Sequence, residues 1–159
     1  MESAEHNGTG RVRLFVRDEL PRPARSRRER VVDELEAIEA EGHVTAAEVV
    51  HWPKRFAVAD TDHPSVREQF SDFVEWATDR EVELSPFFGT RECYSMESGE
   101  KGDWVVLPAF CLAVFDGAEL RDVYPHATGD QTRSVEDGLK TLTESTTEES
   151  RDRLVMSAP

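Results

Sequence analysis

Apolar and polar residues alternate from Arg11 to Arg17, with Val12, Leu14 and Val16 on one side and Arg11, Arg13, Phe15 and Arg17 on the other. A period of two predicts a half-buried strand. Leu20-Pro21-Arg22-Pro23 ends it, because proline donates nothing to a ladder and restricts the residue before it. The period then lengthens. Val31, Leu35 and Ile38 recur at helical spacing, Ser26-Arg27-Arg28-Glu29 fits a capping box, and Gly42 suits a helix stop. A helix is therefore predicted from Ser26 to about Glu41.

Val44, Val49, Val50, Trp52, Phe56 and Val58 return to a β-like composition, and Pro53 interrupts them. This predicts an edge strand or two short strands. Asp62-His63-Pro64 offers a cap and an early helical proline. Val66, Phe70, Phe73, Val74 and Ala77 then form a helical stripe, with Trp76 at its margin and an end near Arg80. Trp104 to Phe115 is apolar, buried and long for a single strand. Asp116-Gly117 signals a two-residue hairpin, and Leu120 to Tyr124 supplies the returning strand. Ser134-Val135-Glu136-Asp137 caps a last short helix with Val135, Leu139 and Leu142 inward.

The order predicts an α+β fold: a mainly antiparallel sheet with helices packed on one face. A ferredoxin-like start fits the opening strand and helix. Helix-turn-helix is the alternative for residues 26–52, with a second helix opening at Thr45. Val49-Val50-His51-Trp52-Pro53 is β-branched, aromatic and ended by proline, so the strand is preferred there. Residues 1–10 are expected to be disordered, 11–142 to form one domain, and 143–159 to be a flexible acidic tail. No internal repeat is found.

Charge changes the picture. The 159 residues carry 33 acidic and 19 basic side chains, a formal net charge of -14, and the cations are 16 Arg against 3 Lys. An acidic, Lys-poor surface suits a halophile, whose molar salt shortens the Debye length to about 3 Å. Half of the arginines lie in residues 11–30, where only Asp18, Glu19 and Glu29 oppose them. Two readings are open: the guanidinium groups meet phosphate, to which their planar fork is matched, or they pair with the chain's own carboxylates, internally or across a dimer.

Other chemistry is sparse. Two cysteines exclude a disulfide scaffold, and the histidines His6, His43, His51, His63 and His126 are scattered. Neither a metal nor a cofactor is expected. Cys93 and Cys111 fall on candidate neighbouring strands and read as core thiols, with a redox pair as the other reading. Nucleophile elbow, phosphate loop and dinucleotide fingerprint are all missing, so no enzyme is expected. Phe87-Phe88 beside Pro86 offers a patch for dimer contact. No apolar run approaches the roughly eighteen residues of a membrane span, and Met1-Glu2-Ser3-Ala4-Glu5 lacks a signal pattern, so a cytoplasmic protein is expected.

Several segments together resemble a family of short haloarchaeal proteins described as HTH domain proteins. They are Arg11-Val12-Arg13-Leu14-Phe15-Val16-Arg17 with the Arg-flanked helix after it, Val50-His51-Trp52-Pro53-Lys54-Arg55, Phe73 to Ala77 and Leu84-Ser85-Pro86-Phe87-Phe88. Val106-Leu107-Pro108 to Val114 and Val123-Tyr124-Pro125-His126 complete the match, which spans about residues 11–142. The resemblance implies a DNA-binding or regulatory role. The resulting expectation is a homodimeric, DNA-associated transcriptional regulator of a halophilic archaeon, with Arg22, Arg25, Arg27, Arg28 and Arg30 on phosphates and Arg11, Arg13 and Arg17 as a second row. The alternative is a non-catalytic protein-interaction or ligand-sensing domain.

Overall fold

The computed structural model describes residues 10–58, 64–94 and 101–144. The expectations for residues 1–9, for the Asp62-His63 cap and for most of the acidic tail, 145–159, lie outside the described residues. The chain runs β1 (Arg11–Arg17), α1 (Arg22–Ala40), β2 (Ala46–Trp52), β3 (Arg55–Ala57) and α2 (Pro64–Arg80). It continues through β4 (Gly89–Tyr94), β5 (Lys101–Val106), β6 (Phe110–Asp116), β7 (Glu119–Tyr124), β8 (His126–Thr128) and β9 (Gln131–Arg133). A last helix, α3, covers 135–144.

The main sheet has the order β2-β1-β6-β7. β1 and β2 are parallel, Leu14 opposite Val49, while β6 is antiparallel to both β1 and β7. The α+β class holds, with two of the three pairings in this sheet antiparallel. Because β1 and β2 are immediate neighbours, the opening is a plain βαβ unit, whereas a ferredoxin-like order would split them. β3, β5 and β4 form a second, smaller antiparallel sheet.

Each face of the main sheet has its own core. On one, Val12, Leu14 and Val16 meet Val31, Leu35 and Ile38 of α1 and Val135, Leu139 and Leu142 of α3. α1 and α3 thus share a face. α2 packs on the opposite face instead, where the small sheet joins it around Phe15, Trp52, Phe73, Phe88 and Leu107. This second core is aromatic: Phe15 stacks on Trp52 at 4.6 Å, and Phe73 and Phe88 meet edge-on at 6.0 Å. Phe88 is consumed by it, so Phe87-Phe88 is no exposed dimer patch.

Local signals are realised with small shifts. α1 starts at Arg22, a turn before the predicted Ser26, since Pro21 and Pro23 suit the first turn of a helix. Its end is a Schellman motif: Gly42, at φ +81, donates to the Glu39 carbonyl and His43 N–H donates to that of Ile38. The long apolar run divides at Leu107-Pro108-Ala109 into β5 and β6, which join different sheets. The β6–β7 loop is Gly117-Ala118, one residue later than the predicted Asp116-Gly117, with the positive φ on Gly117. Trp76 of α2, predicted at the margin of the stripe, points fully inward, while Val74, predicted within it, is exposed. Cys93 registers with Gly102 in the small sheet and Cys111 lies in the main one, so they are not on neighbouring strands.

Candidate nucleic-acid interface

The βαβ unit decides where the arginines go. β1 ends at Arg17, and Leu20-Pro21 turns the chain into α1, so the end of the strand and the start of the helix lie side by side. The β2–β3 connection, Pro53-Lys54, returns to the same end of the sheet through Asp18 N–H, which donates to the Trp52 carbonyl at 2.9 Å. Arg17, Arg25, Arg28 and Lys54 thereby line one open cleft of about 810 Å³, together with the carboxylates Asp18 and Glu19.

Two of these cations are held by backbone carbonyls and a third lies beside a histidine. Arg17 donates from Nε to the buried Leu107 carbonyl at 2.9 Å, and its Nη2 reaches the same oxygen. Burial lowers the Arg17 guanidinium from its ordinary value, although an arginine keeps its charge at any physiological pH. Arg25 donates from Nε to the Leu20 carbonyl at 3.0 Å, and Arg28 Nη2 lies 3.3 Å from His51 Nε2. A carbonyl orients a guanidinium without neutralising it, so the fork keeps donors for a second acceptor.

The five predicted contacts separate. Arg25 and Arg28 are in the cleft. Arg22 is the exposed first residue of α1 beside it, with no ion-pair partner among the described residues. Arg27 points the other way, toward α3: Nε and Nη2 each donate to a Glu136 carboxylate oxygen at 2.8 Å, and the guanidinium sits 4.7 Å above the Phe110 ring centre. These bonds raise the Arg27 value and lower that of Glu136. Arg30 is exposed on the same side and adds to the field on Glu136.

The second row also divides. Arg13 pairs with Glu48 at 2.6 Å and donates to Gln69 Oε1, while Arg11 reaches the Gly117 carbonyl. Both stack over Phe115 at the far end of β1, leaving Arg17 alone at the cleft. Lys54 was not singled out by the sequence. Its only local sign is the Pro53-Lys54-Arg55 break, whose Lys54 carbonyl accepts the Leu107 N–H at 2.8 Å.

Fold and site together define an α+β domain with a cationic cleft at one end of a βαβ unit. Residues 4–147 match the family described as Helix-turn-helix domain, and the chain belongs to that family. Comparison with curated proteins and with solved structures returned no match. Within residues 26–52 the observed order is helix then strand, α1 followed by β2, and among the described residues no helix is followed directly by another. Nor, among them, is any helix long and apolar enough to cross a membrane.

Proposed function

We propose that the protein is a DNA-associated transcriptional regulator whose cleft receives the phosphate backbone. The supporting observation is the convergence of Arg17, Arg25, Arg28 and Lys54 from three chain segments onto one opening, none of them in a carboxylate ion pair among the described residues. Arg22 extends this surface. Arg27 is assigned a structural role through Glu136, and Arg30 a peripheral one. The family description supports the DNA reading. The acidic, Lys-poor composition supports a halophilic source, where charge contacts alone are weak and shape and apolar contacts must contribute.

The test is binding to mixed-sequence duplex DNA by fluorescence anisotropy across a salt series. Each phosphate contact contributes about -0.9 to the log-log slope, so Arg22→Glu with Lys54→Glu should flatten it by about two units. Arg27→Ala should leave the slope unchanged. An unaltered slope in the folded double variant refutes the DNA reading.

The cleft's volume also falls within the range of small-ligand sites, about 300–1,000 Å³, which favours an anionic effector as the second reading. Competition by inorganic phosphate with no DNA retention at any salt would select it.

A further inference from the structure

β2 is an edge of the main sheet, and among the described residues no strand pairs with its outer side. Natural edges are blunted by charge, proline, bulges or a covering element. β7, the opposite edge, carries Glu119, Arg121 and Asp122 and lies against α2, whose Trp76 indole N–H donates to the Arg121 carbonyl at 2.8 Å. β2 is longer and nearly undefended: its sequence is Ala46-Ala47-Glu48-Val49-Val50-His51-Trp52, and Val49 at its middle is 37% exposed. Ala47 N–H, directed away from β1, is held at 3.2 Å by the Glu39 carboxylate.

Beside this edge runs an apolar-floored groove of about 450 Å³ between β2 and α1, formed by Val49 and His51 below and Arg25, Arg28, Glu29, Val32 and Asp33 above. α1 is electrically divided. Arg22, Arg25, Arg27, Arg28 and Arg30 fill its first half, whereas Asp33, Glu34, Glu36 and Glu39 fill its second. On the stripe that carries Val32, Arg28 and Glu36 each lie one helical turn away, on opposite sides. An antiparallel copy of such a helix complements it along its length.

We propose that the β2 edge and this side of α1 seat a second copy of the chain, related by a two-fold axis through Val49. Val49 pairs with its own copy, and Ala47 with the partner's His51, in an antiparallel ladder that continues the sheet across the dimer. Ala47 N–H exchanges the Glu39 carboxylate for a carbonyl, and Glu39 turns to the partner's Arg25. α1 lies over the β1–β2 side, so the two copies of α1 stand about two strand spacings apart, about 10 Å, an ordinary distance for packed helices. Val32 then meets the partner's Val32 over the axis, and Arg28 faces the partner's Glu36. The interface is isologous, as a closed dimer requires. It shares Arg25 and Arg28 with the cationic cleft, but the two readings fail separately, because Arg22 and Lys54, which test DNA binding, do not line the groove and the dimer is read by mass alone.

Sedimentation equilibrium on the full chain tests this, with circular dichroism to confirm folding. The wild type should have twice the mass of the chain in both dilute and molar KCl. Val49→Lys, which sets two ammonium groups together at the axis, should be monomeric. At low salt Arg28→Glu or Glu36→Arg alone should weaken the dimer by about tenfold or more, and the two combined should restore it, since the swap recreates the pair across the axis. All three positions are solvent-accessible, so the variants are expected to fold. A monomeric wild type, a dimer that survives Val49→Lys, or a double swap no better than either single change overturns the proposal.

Discussion

Arg27 of α1 and Glu136 of α3 meet in a two-bond ion pair at 2.8 Å, across 109 residues of sequence. The pair ties together the two helices that share one face of the sheet, and Phe110 lies beneath the guanidinium. An arginine that seemed free for phosphate is thus a clamp on the fold.

The clamp makes acid stability depend on Glu136. Its carboxyl titrates below the ordinary carboxylate value when folded, chiefly through the Arg27 bond. Its contribution is complete above the ordinary value and is lost as pH falls through the folded one. Both side chains are more than a third exposed, so screening limits the pair to about 0.5–1 kcal/mol. Glu136→Gln should lose that amount in urea denaturation at neutral pH. Below the folded value of Glu136, where the wild-type pair has already been lost, it should lose almost nothing.

Arg17 ties the end of β1 to the link between the two sheets through the buried Leu107 carbonyl. Removing a charged donor from a buried acceptor costs about 1.5–3 kcal/mol, reduced here to about 1–2 by the partial exposure of Arg17. Arg17→Met should show that loss in chemical denaturation. Arg17→Lys, with one point-like donor group in place of the fork, should recover part of it.

Gly138 lies inside α3, where alanine would ordinarily gain about 1 kcal/mol. A Cβ there would stand 2.5 Å from Tyr124 Cδ2, and Tyr124 is only 6% exposed and enclosed by the core. Overpacking of this kind costs about 1–3 kcal/mol and should win. Gly138→Ala is expected to lower the thermal midpoint, while Gly138→Ala with Tyr124→Leu should regain part of the loss.

Cys111 is fully buried in β6, and burial pushes its thiol well above the ordinary value. In a Cys93→Ser background it should resist a disulfide reagent until the domain opens, with labelling rising alongside global unfolding. Rapid labelling of the native chain would contradict this.

Much of the architecture was legible because it is written locally. Alternation along Arg11 to Arg17 marks a strand whatever lies beside it, and Gly42 ends α1 through its own backbone freedom. The Ser134–Asp137 box also forms as expected: Ser134 N–H donates to the Asp137 carboxylate, and Asp137 N–H to the Ser134 hydroxyl. The errors cluster where a second layer matters. Val74 left the buried stripe and Trp76 moved from its margin to its centre, because helical spacing defines a stripe without saying what it packs against. The division of residues 104–115 was hidden because both halves are apolar, each for a different sheet.

By itself the chain determined all three helices and the strands of the main sheet, the α+β class, and the crowding of arginine into its first thirty residues, but not β4, β8 or β9. Period, proline, glycine and capping act over a few residues, so they can be read in order. Tertiary structure alone decided which of those arginines are spent and which face the cleft. Ion pairing is a contact of about 3 Å between groups such as Arg27 and Glu136, and only the stacking of α1 and α3 on one sheet brings that pair together.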